Sequence, residues 1–300
     1  LIKMRSYSHF RFVSLGLLCL ILCLPMPLFA QVSIPYQWGK NTATVCPLPI
    51  SPRIEGVKQI VGGVSHTLAL KSDGTVWAWG SNLYGELGDG TLVSRDSPIQ
   101  VPTLTNVLQI AAGGSTSFAV KADGTLWAWG DNQYGQLGDA SKGFRTKPTI
   151  VASLGNVKQV ATKRRYVVAL TKDNGVWAWG DAEYGYIGDG SSKQSSTPVQ
   201  ILSITDGKSV SVGFFSAFIL KKDGSALGWG IGGHCGNGKA DADVKAPATI
   251  AVLSNIKQIE GGAEYFSYGY TCALLTDGSV YVWGDNQFGE NGLRSEEHTS

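Results

Sequence analysis

The sequence predicts an all-β fold, a β-propeller of tandem repeats about fifty residues long. Three observations predict it. A Trp-Gly pair returns five times, at Trp79, Trp129, Trp179, Trp229 and Trp283, in steps of 50, 50, 50 and 54 residues. A second segment keeps the same phase, so that Val57-Lys58-Gln59-Ile60 reappears as Val107-Leu108-Gln109-Ile110, Val157-Lys158-Gln159-Val160 and Ile256-Lys257-Gln258-Ile259. Each copy is rich in Gly, Trp and β-branched residues, the composition of units that cannot bury a hydrophobic face alone and must stack on neighbours. Function is therefore expected in loops rather than in one motif.

In chain order, residues 1–30 read as a secretory signal peptide. Arg5 and Arg11 follow Met4, an apolar run extends from Val13 to Leu24, and Leu28-Phe29-Ala30 precedes Gln31. The run of 12 residues is short of the roughly 20 that a spanning helix needs, which leaves an uncleaved anchor as the alternative. Leu18 and Leu22 stand before Cys19 and Cys23 where a lipoprotein signal requires small residues, so lipidation is not expected. Residues 31–50 read as a partial repeat: Tyr36-Gln37-Trp38-Gly39-Lys40-Asn41 resembles the Trp-Gly-x-Asn segment of a copy, and Ser51-Pro52-Arg53-Ile54 resembles its outer strand. Such a half repeat suits ring closure, because first strands paired into the last blade leave no open sheet edge. Residues 51–294 hold the repeats. The fifth copy stops in its glycine loop at Gly289-Glu290-Asn291-Gly292-Leu293, and residues 295–300 fit no repeat position. They are expected to be a truncated or artefactual end, leaving the ring open.

Within the first copy, Ile60–Lys71 and Thr75–Gly80 read as two strands joined by Ser72-Asp73-Gly74, a hairpin signal. In Thr75-Val76-Trp77-Ala78-Trp79-Gly80 both indoles project from one face and Val76 and Ala78 from the other. Both faces are apolar and both are expected to be buried, small side chains against large ones, as in sheets that converge on an axis. Asn82-Leu83-Tyr84-Gly85-Glu86-Leu87-Gly88-Asp89-Gly90 is a compact glycine loop, and Ser97-Pro98-Ile99-Gln100-Val101 a short outer strand, where Pro98 is tolerated at an edge.

These residues resemble the repeat of the regulator of chromosome condensation family. The resemblance rests on Leu70-Lys71-Ser72-Asp73-Gly74-Thr75-Val76-Trp77-Ala78-Trp79-Gly80-Ser81-Asn82-Leu83-Tyr84-Gly85-Glu86-Leu87-Gly88, on Trp127 to Gly138, and on Gly62-Gly63 followed by His66-Thr67-Leu68-Ala69-Leu70. It covers roughly residues 51–294 in five copies. It implies a propeller of about seven four-stranded antiparallel blades. It implies less about function, because the family ranges from nucleotide exchange and chromatin binding to secreted enzyme inhibitors.

Charge narrows the classes. The chain carries 25 basic and 23 acidic side chains. Without Lys3, Arg5 and Arg11 of the first thirty residues, 22 basic groups face 23 acidic ones, a net charge of −1. That is no footprint for nucleic acid. The remaining 270 residues suffice for one large all-β domain. Cys46, Cys235 and Cys272 remain in a compartment that permits disulfides, with no spacing that identifies a pair.

Catalytic signals are missing from the motifs. His66, His234 and His298 stand in three different contexts, without metal-ligand spacing or a nucleophile elbow. His66 occupies the family's usual histidine position and reads as a packed structural residue. Asp89, Asp139 and Asp189 recur once per copy, as turn residues that bond their own backbone do. Asp131, Asn132 and Asp139 have oxygen-rich spacing, but no bidentate Glu completes a calcium set. Neither cofactor nor metal is expected.

Departures from the repeat carry more functional information than the repeat, because structure explains what recurs. In the third copy Gly62-Gly63-Val64-Ser65 is replaced by Thr162-Lys163-Arg164-Arg165. In the fourth Phe214-Phe215 stands at this turn, and in the fifth it is lengthened to Ala263-Glu264-Tyr265-Phe266-Ser267-Tyr268-Gly269-Tyr270. Equivalent turns of successive blades fall on one propeller face. Lys163, Arg164, Arg165, Phe214, Phe215, Tyr265, Phe266, Tyr268 and Tyr270 are therefore the candidate partner-binding residues, arginine and aromatics being the types that dominate hot spots. The competing reading is local: aromatics that plug the channel or cover a core edge, and cations that are simply solvated. The glycine loops around Tyr84, Tyr134, Tyr184 and Phe288 are expected on the opposite face. The fourth copy's Ile231-Gly232-Gly233-His234-Cys235-Gly236-Asn237-Gly238 reads as a degenerate loop.

The sequence thus predicts an exported, non-catalytic, monomeric protein-interaction scaffold, with no nucleic acid partner and no membrane association after signal cleavage. Alternatives are a secreted inhibitor that inserts one face into an active-site cleft, a carbohydrate or cell-wall binding module, and, last, a hydrolase. Nucleotide exchange is disfavoured, since an exported chain would not meet a cytoplasmic GTPase.

Overall fold

The computed structural model describes residues 37–41, 44–50, 54–201, 203–238, 242–250, 252–263 and 269–286. The chain forms a two-stranded ribbon, β1 (Gln37–Asn41) and β2 (Thr44–Ile50), followed by a series of antiparallel blades. The first blade holds β3 (Val57–Gly62), β4 (His66–Lys71), β5 (Val76–Gly80) and β6 (Arg95–Gln100). The second holds β7 (Val107–Gly113), β8 (Thr116–Lys121), β9 (Leu126–Gly130) and β10 (Arg145–Ile150). The third holds β11 (Val157–Thr162), β12 (Tyr166–Thr171), β13 (Val176–Gly180) and β14 (Ser195–Gln200). The fourth holds β15 (Gly207–Val212), β16 (Ser216–Lys221), β17 (Ala226–Gly230) and β18 (Val244–Thr249). In the fifth the described strands are β19 (Ile256–Ala263), β20 (Gly269–Leu275) and β21 (Val280–Gly284).

Strand order within each blade follows chain order, and the first strands β3, β7, β11, β15 and β19 lie side by side, so they line the axis. The stretch Ile60–Lys71 is not one strand. It breaks into β3 and β4 at Gly63–Ser65, where Gly63 and the His66 carbonyl close a tight turn by a 2.9 Å hydrogen bond. The hairpin at Ser72-Asp73-Gly74 forms as its sequence dictates, with Asp73 accepting from both the Thr75 amide and its hydroxyl. The ribbon has the register of an outer strand pair: Gly39 faces Cys46 and Gln37 faces Ile50, the same offset by which Gly80 faces Arg95 and Ala78 faces Ile99.

Blades are joined by three ties, each made by residues that recur in phase. Val76 and Ala78 of one blade pack with Leu68, Leu87 and Leu104 against Ile110, Ala119 and Trp129 of the next, all buried. The small face of one blade thus receives the indole face of its neighbour, the taper expected of converging sheets. The second tie is the indole N–H: Trp129 donates to the Glu86 carbonyl, Trp179 to that of Gln136, Trp229 to that of Tyr186 and Trp283 to that of His234. The third is a glutamine clamp between first strands. Gln59 donates to the Ile110 carbonyl and accepts from its amide, and Gln109 and Gln159 repeat this on Val160 and Val210. At the fourth junction Ser209 stands in place of the glutamine, and a longer contact, Ser211 to Glu260 at 3.4 Å, spans the same strands.

The indoles of a pair do not share one environment. Trp79 and Trp129 are buried, whereas Trp77 and Trp127 are half-buried, with the Lys71 and Lys121 ammonium groups 5.5 and 5.6 Å from their ring centroids. The expectation that both are buried fails because the first indole of each pair lies at the hairpin end of its strand, bonded to Thr75 or Thr125 and covered by a lysine stem. Cys235 and Cys272 are free thiols.

Candidate protein-binding face

The turns between first and second strands and the glycine loops between third and fourth meet at one end of the propeller. In each blade the first residue of the glycine loop donates its amide to the last residue of the turn: Ser81 to Ser65, Asp131 to Ser115, Asp181 to Arg165, Ile231 to Phe215 and Asp285 to Gly269, at 2.7–2.9 Å. This corrects the expectation that Tyr84, Tyr134 and Tyr184 lie opposite the turns. In an up-and-down blade the first and third connections necessarily share an end. Phe288 lies outside the described residues.

The glycine loops are held by their polar side chains. Buried Asn82 donates to the carbonyls of Thr91 and Val93 and accepts from the Leu87 amide. Asp89 is partly desolvated, yet bonds from the Thr91 hydroxyl and amide and from Arg95 keep its carboxyl below the usual range. Asp139 repeats the arrangement, with Ser141 and Arg145 as partners. Asn132 spends its oxygen on the Leu137 amide and its nitrogen on Asp139 and Ser141. The oxygens that suggest calcium are thus engaged inside the loop.

His66 is buried, and burial pulls it down to about 4, so it is neutral. Its Nε2 lies 2.9 Å from Ser117 Oγ, and the Ser117 hydroxyl donates onward to the Glu86 carbonyl. The hydroxyl proton being used there, His66 carries its own proton on Nε2. It is a structural link between the first two blades.

The departures from the repeat converge on this end. Lys163 is exposed, and Arg164, Arg165, Phe214 and Phe215 are half-buried. The Arg165 guanidinium lies 4.1 Å from the ring centroid of Tyr134 in the preceding blade, and that of Arg164 5.0 Å from Phe214 in the following one. Phe214 meets Phe215 edge-on at 4.8 Å, Phe215 lies 5.2 Å from the His234 ring, and His234 Nε2 lies 3.0 Å from Asp285. These contacts form a strip over four blades. Among the described residues no carboxylate forms a salt bridge with Lys163, Arg164 or Arg165, although Lys163 acts electrostatically on Glu260.

Tyr270 belongs elsewhere than the turn. It begins the inner part of β20, in register with Gly262 and Gly284, and its ring lies over Gly262, where a Cβ would approach it to 2.4 Å. Tyr265, Phe266 and Tyr268 lie outside the described residues. Sequence reasoning missed Tyr134, His234 and Asp285 as members of the strip. The loop around His234 reads as decay in the sequence, yet it supplies the link from the fourth blade to Asp285 of the fifth.

Residues 33–268 match the family model of the RCC1-like domain, and residues 256–290 that of the regulator of chromosome condensation (RCC1) repeat. The ultraviolet-B receptor UVR8 of Arabidopsis thaliana is 47% identical over 45 residues, 15% of this chain and 10% of that protein. The mitochondrial RCC1 domain-containing protein RUG3 of the same plant is 36% identical over 70 residues, 23% of this chain and 16% of that protein. The matched stretches are thus a small part of either relative. Human WBSCR16 superimposes with a TM-score of 0.71 at 23% identity, over 83% of this chain and 68% of that one. Prp20p from Saccharomyces cerevisiae, reported with its binding properties to Gsp1p and histones, gives 0.65 at 22%, over 82% and 60%. At such identities these likenesses show the fold.

Proposed function

Because the chain belongs to the RCC1-like domain family, we propose that it acts as a non-catalytic protein-binding propeller whose partner docks at the end where turns and glycine loops meet. The observation that carries this reading is the strip through Tyr134, Arg165, Arg164 and Phe214. A guanidinium held on an aromatic face loses less side-chain freedom on binding than a free one. Neither guanidinium forms a salt bridge among the described residues, which leaves both charges available to a partner's carboxylate. Binding of Gsp1p and histones by Prp20p supports a protein partner for this chain also.

The Arg164→Ala/Arg165→Ala/Phe214→Ala variant is expected to lose partner capture while keeping its fold. Removing the arginines should lower the association rate and its salt dependence, and removing Phe214 should speed dissociation. A captured partner with both rates unchanged in surface plasmon resonance sinks the reading.

Export belongs to the same proposal, supported by Arg5 and Arg11, the apolar run Val13 to Leu24, and Ala30 ahead of Gln31. The mature protein is expected to begin at or close to Gln31. N-terminal sequencing of protein from the medium or periplasm that finds Arg5 to Ala30 intact rejects cleavage.

A further inference from the structure

The opposite end of the propeller carries a different charge pattern. There the hairpins between second and third strands meet the entries to the first strands: Ser72 donates its amide to the Gly56 carbonyl, Ala122 to that of Asn106, Lys172 to Asn156, Lys222 to Asp206 and Thr276 to Asn255, at 2.7–3.1 Å. The second residue of each first strand therefore lies at the mouth of the axis. It is lysine in four blades, Lys58, Lys158, Lys208 and Lys257, and Leu108 in the second. All four lysines are exposed.

Packing does not explain these lysines. Leu108, 55% exposed, holds the same position in the same register, Val107 facing Lys121 as Val57 faces Lys71. Among the described residues none of the four forms a salt bridge. Lys158 reaches across its junction, where its Nζ donates to the Lys208 carbonyl of the next blade at 3.3 Å. Like charges gathered at one mouth repel one another and together focus a positive field on it.

The carboxylates of this end are held outside the mouth. Asp73, Asp123, Asp223 and Asp277 sit in the hairpins, each accepting from the hydroxyl and amide of the Thr or Ser two residues on. These bonds hold the carboxyls below their usual range, so all four are ionised. Hairpin lysines balance them: Lys71 lies 3.8 Å from Asp73, and Lys221 lies 3.0 Å from Asp206 and 3.7 Å from Asp223. Charge is thus segregated, with ammonium groups around the axis and carboxylates on the rim. A broad acidic surface would meet that rim and be repelled. A compact anion fits inside it.

We propose that this mouth binds a compact polyanion of the chemical class of a short-chain polyphosphate, held by Lys158, Lys208 and Lys257 on adjacent first strands, with Lys58 beyond them. Ammonium groups suit such a ligand, because three rotatable donors on a flexible stem adapt to an anion of no fixed planar geometry. The site stands at the end away from the docking face, so neither depends on the other.

The test is calorimetric titration of the purified protein with inorganic tripolyphosphate. Saturable binding is expected, weakening as sodium chloride is raised. Lys158→Gln/Lys208→Gln should weaken it about ten-fold or more, through the loss of two charged donors, and Lys158→Arg/Lys208→Arg should restore it. Lys172→Gln/Lys222→Gln removes the same charge from exposed hairpin positions of the same two blades, and should change affinity less than about two-fold, as for scattered surface charges. Circular dichroism checks that each variant keeps its fold. Equal losses in the two glutamine variants, or non-saturable binding, overturn the proposal, since net charge alone would then account for the anion. An oligo-aspartate peptide bound more tightly than tripolyphosphate overturns it in favour of an acidic protein segment. The Arg164→Ala/Arg165→Ala/Phe214→Ala variant should bind tripolyphosphate as the parent does; loss of binding there places the anion on the docking face and overturns the proposal as well.

Discussion

Replacing Trp129 by alanine is expected to cost about 3–5 kcal/mol, the range of large-to-small changes in a packed core. Trp129 is fully buried, fills the space between Val76, Ala78 and Leu87 of the first blade, and donates its indole N–H to the Glu86 carbonyl at 2.7 Å. Its loss therefore opens a cavity at a junction and removes one of that junction's three ties. Two controls sharpen the result. Trp127→Ala should cost less, because that ring is half-buried and bonded only within its own blade, to Thr125. Asp131→Ala should cost least, since Asp131 accepts only from Gln133 and Gln136 of its own loop. Urea melts that give equal, small losses at Trp129 and Asp131 would mean that the inter-blade core does not carry the stability assigned to it.

The repeat, its four-strand content and the hairpin at Asp73-Gly74 were legible because they are local and periodic. A Trp-Gly pair every fifty residues states the blade directly, and an Asp-Gly dipeptide states its own turn. What joins the blades was written in the same residues but not readable from one copy. Gln59 recurs visibly as Gln109 and Gln159, yet its role depends on a backbone 51 residues away. The contacts of Trp129, Trp179 and Trp229 lie 43 residues back. These separations combine one repeat with a small offset inside it, so they follow once strand order is known, and no local pattern reveals them.

The candidate face was partly legible for the same reason. Lys163, Arg164, Arg165, Phe214 and Phe215 stood out as departures from a known period. Their neighbours did not: Tyr134 is an ordinary repeat residue that becomes part of the strip only because Arg165 of the next blade rests on it.

The second large effect is expected at the seat of the indole. Gly138 has φ +72°, and a Cβ there would lie 2.7 Å from Trp179 Nε1, the atom that donates to the Gln136 carbonyl at 2.9 Å. Gly88 and Gly188 stand in the same relation to Trp129 and Trp229, at 2.9 and 2.8 Å. Gly138→Ala must meet two costs: about 1–2 kcal/mol for an L-residue in the left-handed region, and about 1–3 kcal/mol for overpacking against a ring that cannot move without losing its hydrogen bond. Their sum is about 2–5 kcal/mol. Gly143 isolates the first cost, because it has φ +87° in the same loop with nothing within 4 Å of an added Cβ. Gly143→Ala should therefore lose only about 1–2 kcal/mol. The difference between the two variants, read from urea melts of equal slope, measures how tightly one blade grips the next. Equal losses would show that the Trp179 ring yields freely, and the glycine would then be required by the backbone alone rather than by the approach of the neighbouring blade.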